Sequence, residues 1–335
     1  MEKPEPGSEA WLNLIREEII DPDRAIVDPH HHLWDRSWGR YLLDELWADT
    51  GSGHNVVTTV YLECGSAYFP SGPEHLKPVG ESVFVNKIAT ASRTDPDRAT
   101  IGAIVGRADL RLGAELDEVL EAHETAAPGL FRGIRHAGAR ALYPDTLRIA
   151  GSAPEGLYQD DSFRRGVARL GELGFTYDTW HYHHQNQDFA DLALAVPGTT
   201  MVLDHFGTPV GVGPFADQRE AIFEQWQRDI ELIAQRPNVV AKLGGLAMPD
   251  NGFGWHDRDS PPTSDEFAEA QARYYLHAIQ CFGADRCMFE SNFPVDRWSL
   301  SYHVLWNGLK KIVADFPENE QHAMFYGTAA RVYRL

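Results

Sequence analysis

Eight short runs of apolar, β-branched and aromatic residues recur along this chain, with longer stretches of helical spacing between them. The runs are 26–32 (IVDPHHH), 56–65 (VVTTVYLECG), 100–109 (TIGAIVGRAD), 130–138 (LFRGIRHAG), 176–183 (TYDTWHYH), 201–207 (MVLDHFG), 239–245 (VVAKLGG) and 287–294 (CMFESNFP). Glycine, proline or aspartate bounds them, as for strands buried on both faces. The clearest helical segments are 80–93, 114–126, 161–173, 219–236 and 264–282, the last opening on the helix-start pattern SDEF. Two more, 301–315 and 318–330, follow the eighth run. Strand and helix alternating eight times predicts an α/β fold, a parallel sheet closed into a (β/α)8 TIM barrel. An open doubly wound sheet would place a glycine-rich phosphate turn after its first strand, and here that turn reads HHHLWD.

The length suits one barrel with long loops, read as an N-terminal extension over 1–24 and a single barrel domain over 25–335. The long connections 33–55 and 246–263 are rich in Trp, Tyr, Gly and Pro. In a barrel they lie over the C-terminal mouth, as a lid or a pocket wall.

Acidic residues number 49 against 30 basic ones, a net charge of −19, which argues against nucleic acid or an anionic membrane as a partner. No stretch approaches the roughly 18 apolar residues of a membrane span, and the acidic opening MEKPEPGSEAW has no secretory h-region. Cys64, Cys281 and Cys287 show no C-x-x-C spacing, so neither a disulfide framework nor a cysteine metal site is expected. These features point to a cytoplasmic protein acting on a small molecule, with homo-oligomerisation left open.

Polar side chains gather at the ends of the runs. The first offers His30 and His32, which alternation places with Asp28 on one face while His31 points away. The second ends with Glu63, the third with Arg107 and Asp109, and the fourth carries Arg132, Arg135 and His136. The fifth reads Asp178-Thr179-Trp180-His181-Tyr182-His183-His184, the sixth Asp204-His205-Phe206-Gly207, the seventh has Lys242, and the eighth closes Glu290-Ser291-Asn292. In a barrel these ends converge on one cleft. Imidazoles, with or without a metal, polarise a carbonyl and stabilise its oxyanion, and arginines suit a carboxylate.

The segments DPHHHLWD (28–35), GLFRGIRH (129–136), VLDHFGTP (202–209), VVAKLGGL (239–246), MFESNFPVD (288–296) and GTAARVYRL (327–335) resemble, in order, the amidohydrolase superfamily. The closest resemblance is to its amidohydrolase 2 branch of sugar-lactone and pyrone-dicarboxylate lactonases. It implies a barrel hydrolase whose strand-1 histidine pair is His30 and His32 and whose strand-6 histidine is His205. His181 is the strand-5 candidate, with His183 sharing its face. Arg132 and Arg135 match the arginines that hold a substrate oxygen or carboxylate, and His136 and Lys242 join them as substrate-binding candidates.

One departure matters. Where the family writes S-D-W-P on strand 8, this chain has Ser291-Asn292-Phe293-Pro294. Asparagine cannot accept a proton at neutral pH and is a poor metal ligand beside a carboxylate. Glu290, Asp296 or a histidine is left to replace the base. His30, His32 and His181 could hold one divalent metal, zinc best suiting three imidazoles and an open position, while metal-free relatives allow an empty site. The leading expectation is a hydrolase opening a lactone or similar cyclic ester of a carboxylated or oxygen-rich molecule. The alternatives are a metal-dependent decarboxylase or hydratase of an unsaturated or aromatic acid, and an inactive ligand-binding barrel.

Overall fold

The structure, a computed structural model, describes residues 4–335. Its strands are β1 (Ala25–His31), β2 (Trp34–Arg36), β3 (Gly39–Tyr41), β4 (Asn55–Leu62), β5 (Thr100–Gly106), β6 (Phe131–Arg135), β7 (Thr176–Thr179), β8 (Met201–Leu203), β9 (Val239–Leu243) and β10 (Cys287–Phe289). All but β2 and β3 form one eight-stranded sheet in the order β1-β4-β5-β6-β7-β8-β9-β10, every pair parallel. The sheet closes just beyond its last strand, where Asn292 N donates to His30 O (3.0 Å) and His32 N to Phe293 O (2.8 Å). Ser291 tightens this seam by donating through N (3.0 Å) and Oγ (2.6 Å) to the Asp28 carboxylate. The chain is a (β/α)8 TIM barrel.

Alternation sorts the strand residues into two cores. Val27, Val60, Ala103, Val202, Val240 and Met288 fill the barrel interior with Tyr333 of the C-terminal helix Thr328–Tyr333. Ile26, Tyr61, Ile104, Ile134, Tyr177, Leu203, Leu243 and Phe289 face the surrounding helices. Those helices include Val79–Ser92, Glu115–Ala126, Asp161–Glu172, Arg219–Ala234 and Ser264–Phe282, close to the sequence expectation. The last begins at a capping box, Thr263 Oγ1 accepting from Glu266 N (3.2 Å) and Glu266 Oε2 from Thr263 N (2.8 Å). The helix Asn186–Ala195 escaped the periodicity reading, as did the β2–β3 hairpin and the helix Leu43–Thr50 inside the long first connection. Before the first strand, Trp11 is buried and donates to Arg258 O (3.3 Å), while Lys310 Nζ donates to Ile20 O (2.8 Å).

Most strands end sooner than their apolar runs. β7 stops at Thr179, β8 at Leu203 and β10 at Phe289. The backbone then leaves extended geometry: His205, Phe206 and Asn292 have φ of 54°, 58° and 55°. Side-chain alternation has no force past those points. It also fails inside β1, where the β1–β4 register shifts between Asp28 and His31. This irregularity, at Pro29, turns Asp28 outward to Tyr302 (2.9 Å) while His30 faces inward. Asp28 and His30 therefore do not share a face, as strict alternation had implied.

Candidate active site

The inward ends of five strands meet at His30. Its Nδ1 lies 2.7 Å from Glu290 Oε2, and the other oxygen of Glu290 is 2.6 Å from His205 Nδ1. The two rings sit 4.5 Å apart, so one buried carboxylate bridges two imidazoles. The seat under His205 needs a glycine: a Cβ on Gly245 would fall 2.3 Å from His205 Nδ1. His32 is tied through Nδ1 to Leu62 O (2.9 Å), leaving Nε2 as its lone-pair atom, 3.3 Å from His30 Nε2. His31 turns outward and packs edge-on against Tyr61.

Below this cluster, Lys242 Nζ reaches Asp178 Oδ2 (3.0 Å), Asp204 Oδ1 (3.2 Å) and His30 Nδ1 (3.5 Å). Tyr333 Oη and Thr176 Oγ1 also donate to Asp178. Arg135 donates through Nε to Glu63 Oε1 (2.9 Å) and through Nη2 to Glu63 O, and its Nη1 lies 3.3 Å from His30 Nε2. Nη1 is also 3.6 Å from Asp204 Oδ2.

Burial sets the protonation states. It holds His30 and His32 well below the usual imidazole range and His205 down to about 3, so all three rings are neutral with available lone pairs. It lifts Asp204 to about 6 against the pull of Lys242, and Glu290 to about 8 against Lys242, His205 N–H and Arg135. For Lys242 burial works the other way, but Asp204, Asp178 and Glu290 outweigh it and hold the ammonium above its ordinary range.

His30, Asp204 and His205 place one potential ligand atom each within 4.8 Å of one another. The Asp204 carboxylate is buried between the Lys242 ammonium (3.2 Å from Oδ1) and the Arg135 guanidinium (3.6 Å from Oδ2), with neither contact in hydrogen-bond geometry. Two neutral imidazoles beside a buried carboxylate make a donor set that suits zinc or a similar divalent cation. Glu290 supplies the carboxylate that orients such imidazoles from behind.

The cluster opens on a cavity of about 680 Å³, whose lining includes His32, His205, Asn292, Arg135 and Glu63. Its walls come from loops: Trp34, Arg36 and Trp38 from the β2–β3 hairpin, Arg148 and Ile149 after β6, Trp180 after β7, Met248 after β9, and Trp298 after β10. Asn292 donates through Nδ2 to Asp296 Oδ1 (2.8 Å), leaving Oδ1 as the acceptor it can offer a ligand. Asp296 is itself buried and accepts from Ala247 N (3.2 Å), and its carboxyl is held well above the usual range by that burial.

Four site expectations are not met by this geometry. His181 lies beyond the end of β7, its ring between Tyr158 Oη (3.1 Å) and Asn186 Oδ1 (3.0 Å), so it joins neither His30 nor His32 as a metal ligand. Arg132 stands three residues before Arg135, on the opposite side of β6, and donates to Tyr333 O, Phe131 O and Gly129 O away from the cavity. His136 accepts from Leu110 N (3.2 Å), packs edge-on against Phe163 and is absent from the cavity lining. Lys242 is fully buried beneath His30 and has no access to a substrate. Conversely, Glu290 is central, and its place two residues before Asn292 was the signal for it. Asp178 carried no motif beyond standing at a strand end, and Asp204 lay in the segment VLDHFGTP without being singled out for a role. Cys64 lines the cavity with its thiol pushed up to about 12 by burial, so it is not a reactive nucleophile.

A parallel barrel with imidazoles, carboxylates and fixed cations on its inward strand ends, beneath a loop-walled cavity, has the architecture of a TIM-barrel enzyme. The sequence profile of the amidohydrolase family, Amidohydro_2, matches residues 27–335, and the chain belongs to that family. The uncharacterized protein y4mH of Sinorhizobium fredii is 32% identical over 335 residues, covering 93% of this chain and 99% of its own. An L-fucono-1,5-lactonase of Burkholderia multivorans is 28% identical over 330 residues, covering 92% of this chain and 96% of its own. Crystal structures of an amidohydrolase from Burkholderia multivorans, one with bound HEPES and one with bound zinc, superpose with a TM-score of 0.71 at 24% identity, over 93% of this chain and 99% of theirs. Among the described residues no helix is long and apolar enough to cross a membrane.

Proposed function

We propose that this amidohydrolase opens a lactone or similar cyclic ester by attack of water on its carbonyl carbon. The observation that carries the reading is the Glu290 carboxyl group bridging His30 Nδ1 and His205 Nδ1 beside the buried Asp204, where the cavity meets the barrel. The lactonase relative supports the ester class. A divalent metal would be held by His30, Asp204 and His205, and would supply Lewis-acid polarisation of the carbonyl or a more acidic bound water.

The chain's own groups have separate tasks. Glu290 fixes both rings with their Nε2 atoms turned away from it. His32, anchored by Leu62 O, presents Nε2 to accept the proton of the attacking water and return it to the leaving ring oxygen. Arg135, held in place by Glu63, directs Nη1 towards the centre, where it stabilises negative charge on the carbonyl oxygen. Asn292 orients the water or a substrate hydroxyl through Oδ1 and takes no proton. Trp34, Trp38, Trp180 and Trp298 line the walls around this centre.

The test is a panel of γ- and δ-lactones followed by proton release, with His32→Ala and Glu290→Gln alongside the wild type. Ring opening that falls at least a hundredfold in His32→Ala and at least tenfold in Glu290→Gln is expected. No turnover across the panel, or full activity in both variants, overturns the proposal. Asn292 in place of a carboxylate favours one second reading, decarboxylation of an unsaturated acid, which carbon dioxide release without lactone turnover would establish.

A further inference from the structure

The residues ahead of the barrel's first strand reach the back of the cavity wall. Their later part is tied to the outside of the barrel. The Glu17 carboxylate accepts from Ser264 N (2.7 Å), at the start of the helix Ser264–Phe282, and from Asn307 Nδ2 (3.1 Å). Asn307 Oδ1 accepts from Ile20 N (2.9 Å), and Lys310 Nζ donates to Ile20 O and Asp21 O (2.8 Å each).

Their earlier part goes on to two loops. Trp11, fully buried, donates to Arg258 O (3.3 Å) in the connection 246–263, whose Met248 lines the cavity. Gly7 O accepts from Arg297 Nε (3.3 Å), and Arg297 Nη1 donates to Asp49 Oδ2 (3.0 Å). Asp49 in turn accepts from Tyr41 Oη of β3 (2.8 Å), so this segment and the hairpin that builds another part of the wall meet on one guanidinium. Gly7 has a φ of 79°, and a Cβ there would fall 3.0 Å from Cδ1 and 3.2 Å from Cα of Trp298, itself a cavity residue.

We infer that residues 7–12 are a positioning strap: they hold Trp298 and the connection 246–263 in place from behind, and so set how tightly the cavity takes its substrate. The kinetic half of this rests on reading the cavity as the active site. Met248 and Trp298 belong to connections, and a wall made of connections keeps its place only as far as something packs behind it. Among the described residues, no hydrogen bond of 4–24 reaches His30, His32, Asp204, His205 or Glu290. The strap therefore acts on the wall and leaves the groups that do the chemistry alone. Loosening it removes binding that ground state and transition state share, which raises KM and spares kcat.

The test uses the full-length protein labelled with 5-fluorotryptophan, the Trp298 resonance being assigned by its loss in Trp298→Phe. Trp11→Ala removes an anchor of the strap that is not itself part of the cavity lining, and Gly7→Val drives a side chain into the space behind Trp298. In both variants the Trp298 fluorine resonance is expected to move or broaden. On a lactone that the wild type opens, KM is expected to rise about fivefold or more in both, with kcat within about twofold. A strap that only stabilised the fold would instead lower apparent kcat with the folded fraction and leave KM alone. Gly129→Ala strains another left-handed glycine, at a φ of 73° with no atom within 4 Å of the added Cβ, and is expected to change neither readout. An unchanged Trp298 resonance in both strap variants, or an unchanged KM in both, overturns the inference.

Its failure is distinguishable from that of the hydrolase reading. If the wild type opens no lactone, the hydrolysis falls and the fluorine spectra alone decide the strap. Lactone turnover with KM and the Trp298 resonance unmoved in both variants removes the strap and leaves the hydrolysis standing.

Discussion

Two strand ends in this barrel carry histidine runs, and only one of them builds a centre. After β1, His30 and His32 turn inward at the seam, where Glu290 and Arg135 reach His30 and Leu62 O anchors His32. After β7, His181, His183 and His184 follow a ladder that has already ended at Thr179. There His181 is satisfied by Tyr158 and Asn186, and His183 accepts from Val210 N (3.2 Å). The difference is not histidine content. It is whether a buried carboxylate and a fixed cation come within reach of the ring.

The largest effect that would break this comparison is on turnover. His205→Ala and His30→Ala are expected to lower kcat/KM by about 10²–10⁴-fold, the range of a lost catalytic imidazole, whereas His181→Ala is expected to stay within a few-fold of wild type. Steady-state kinetics on any lactone substrate decide it, and equal losses at both strand ends would erase the distinction. Next in size is Glu290→Gln, which keeps the shape but replaces one of the two carboxyl oxygens that orient the rings with an amide nitrogen. Metal affinity or kcat/KM is expected to drop about 10–100-fold, as for other orienting carboxylates.

Asn292→Asp sharpens the account from the opposite side. It places a second carboxyl against Asp296, buried and 2.8 Å from the Asn292 amide. The expected result is a loss of about 1–3 kcal/mol of stability with no gain in turnover, read by denaturant unfolding and kinetics. A clear rise in hydrolysis would show that position 292 retains the base role.

The smallest expected effect separates structural histidines by pH. Burial lowers His181 to about 4, and lowers His123, which contacts Ser82 and Arg107 O, to about 4 as well. Their folded values lie below the ordinary imidazole value of about 6.5, so the unfolded chain binds their protons first. The stability they contribute is complete above pH 6.5 and is lost as pH falls towards 4. Denaturant midpoints measured between pH 7.5 and 4.5 should fall more steeply in the wild type than in His123→Gln.

Much of the fold was legible because the barrel repeats one physical problem eight times. A strand buried on both faces needs an apolar run, and its covering helix needs a periodic stripe. The site was legible only in part, because its logic changes where the ladders stop. Alternation placed His30 and His32 usefully but misjudged Asp28, which the register shift between Asp28 and His31 turns outward. It gave no purchase on His181, two residues beyond the last paired residue of β7. Arg132 and Arg135 were grouped by motif, although a spacing of three on a strand puts them on opposite faces. The cavity's tryptophans, with Arg36 and Arg148, come from connections whose mutual approach no local pattern records.

The most direct test of the central claim, that the centre is the His30–Asp204–His205 cluster gripped by Glu290 and excludes His181, is a competitive zinc titration of the wild type, Asp204→Asn and His181→Ala. The expected result is one zinc per wild-type chain, an affinity at least tenfold weaker in Asp204→Asn, and His181→Ala within threefold of wild type. Loss of zinc in His181→Ala with full retention in Asp204→Asn would contradict it.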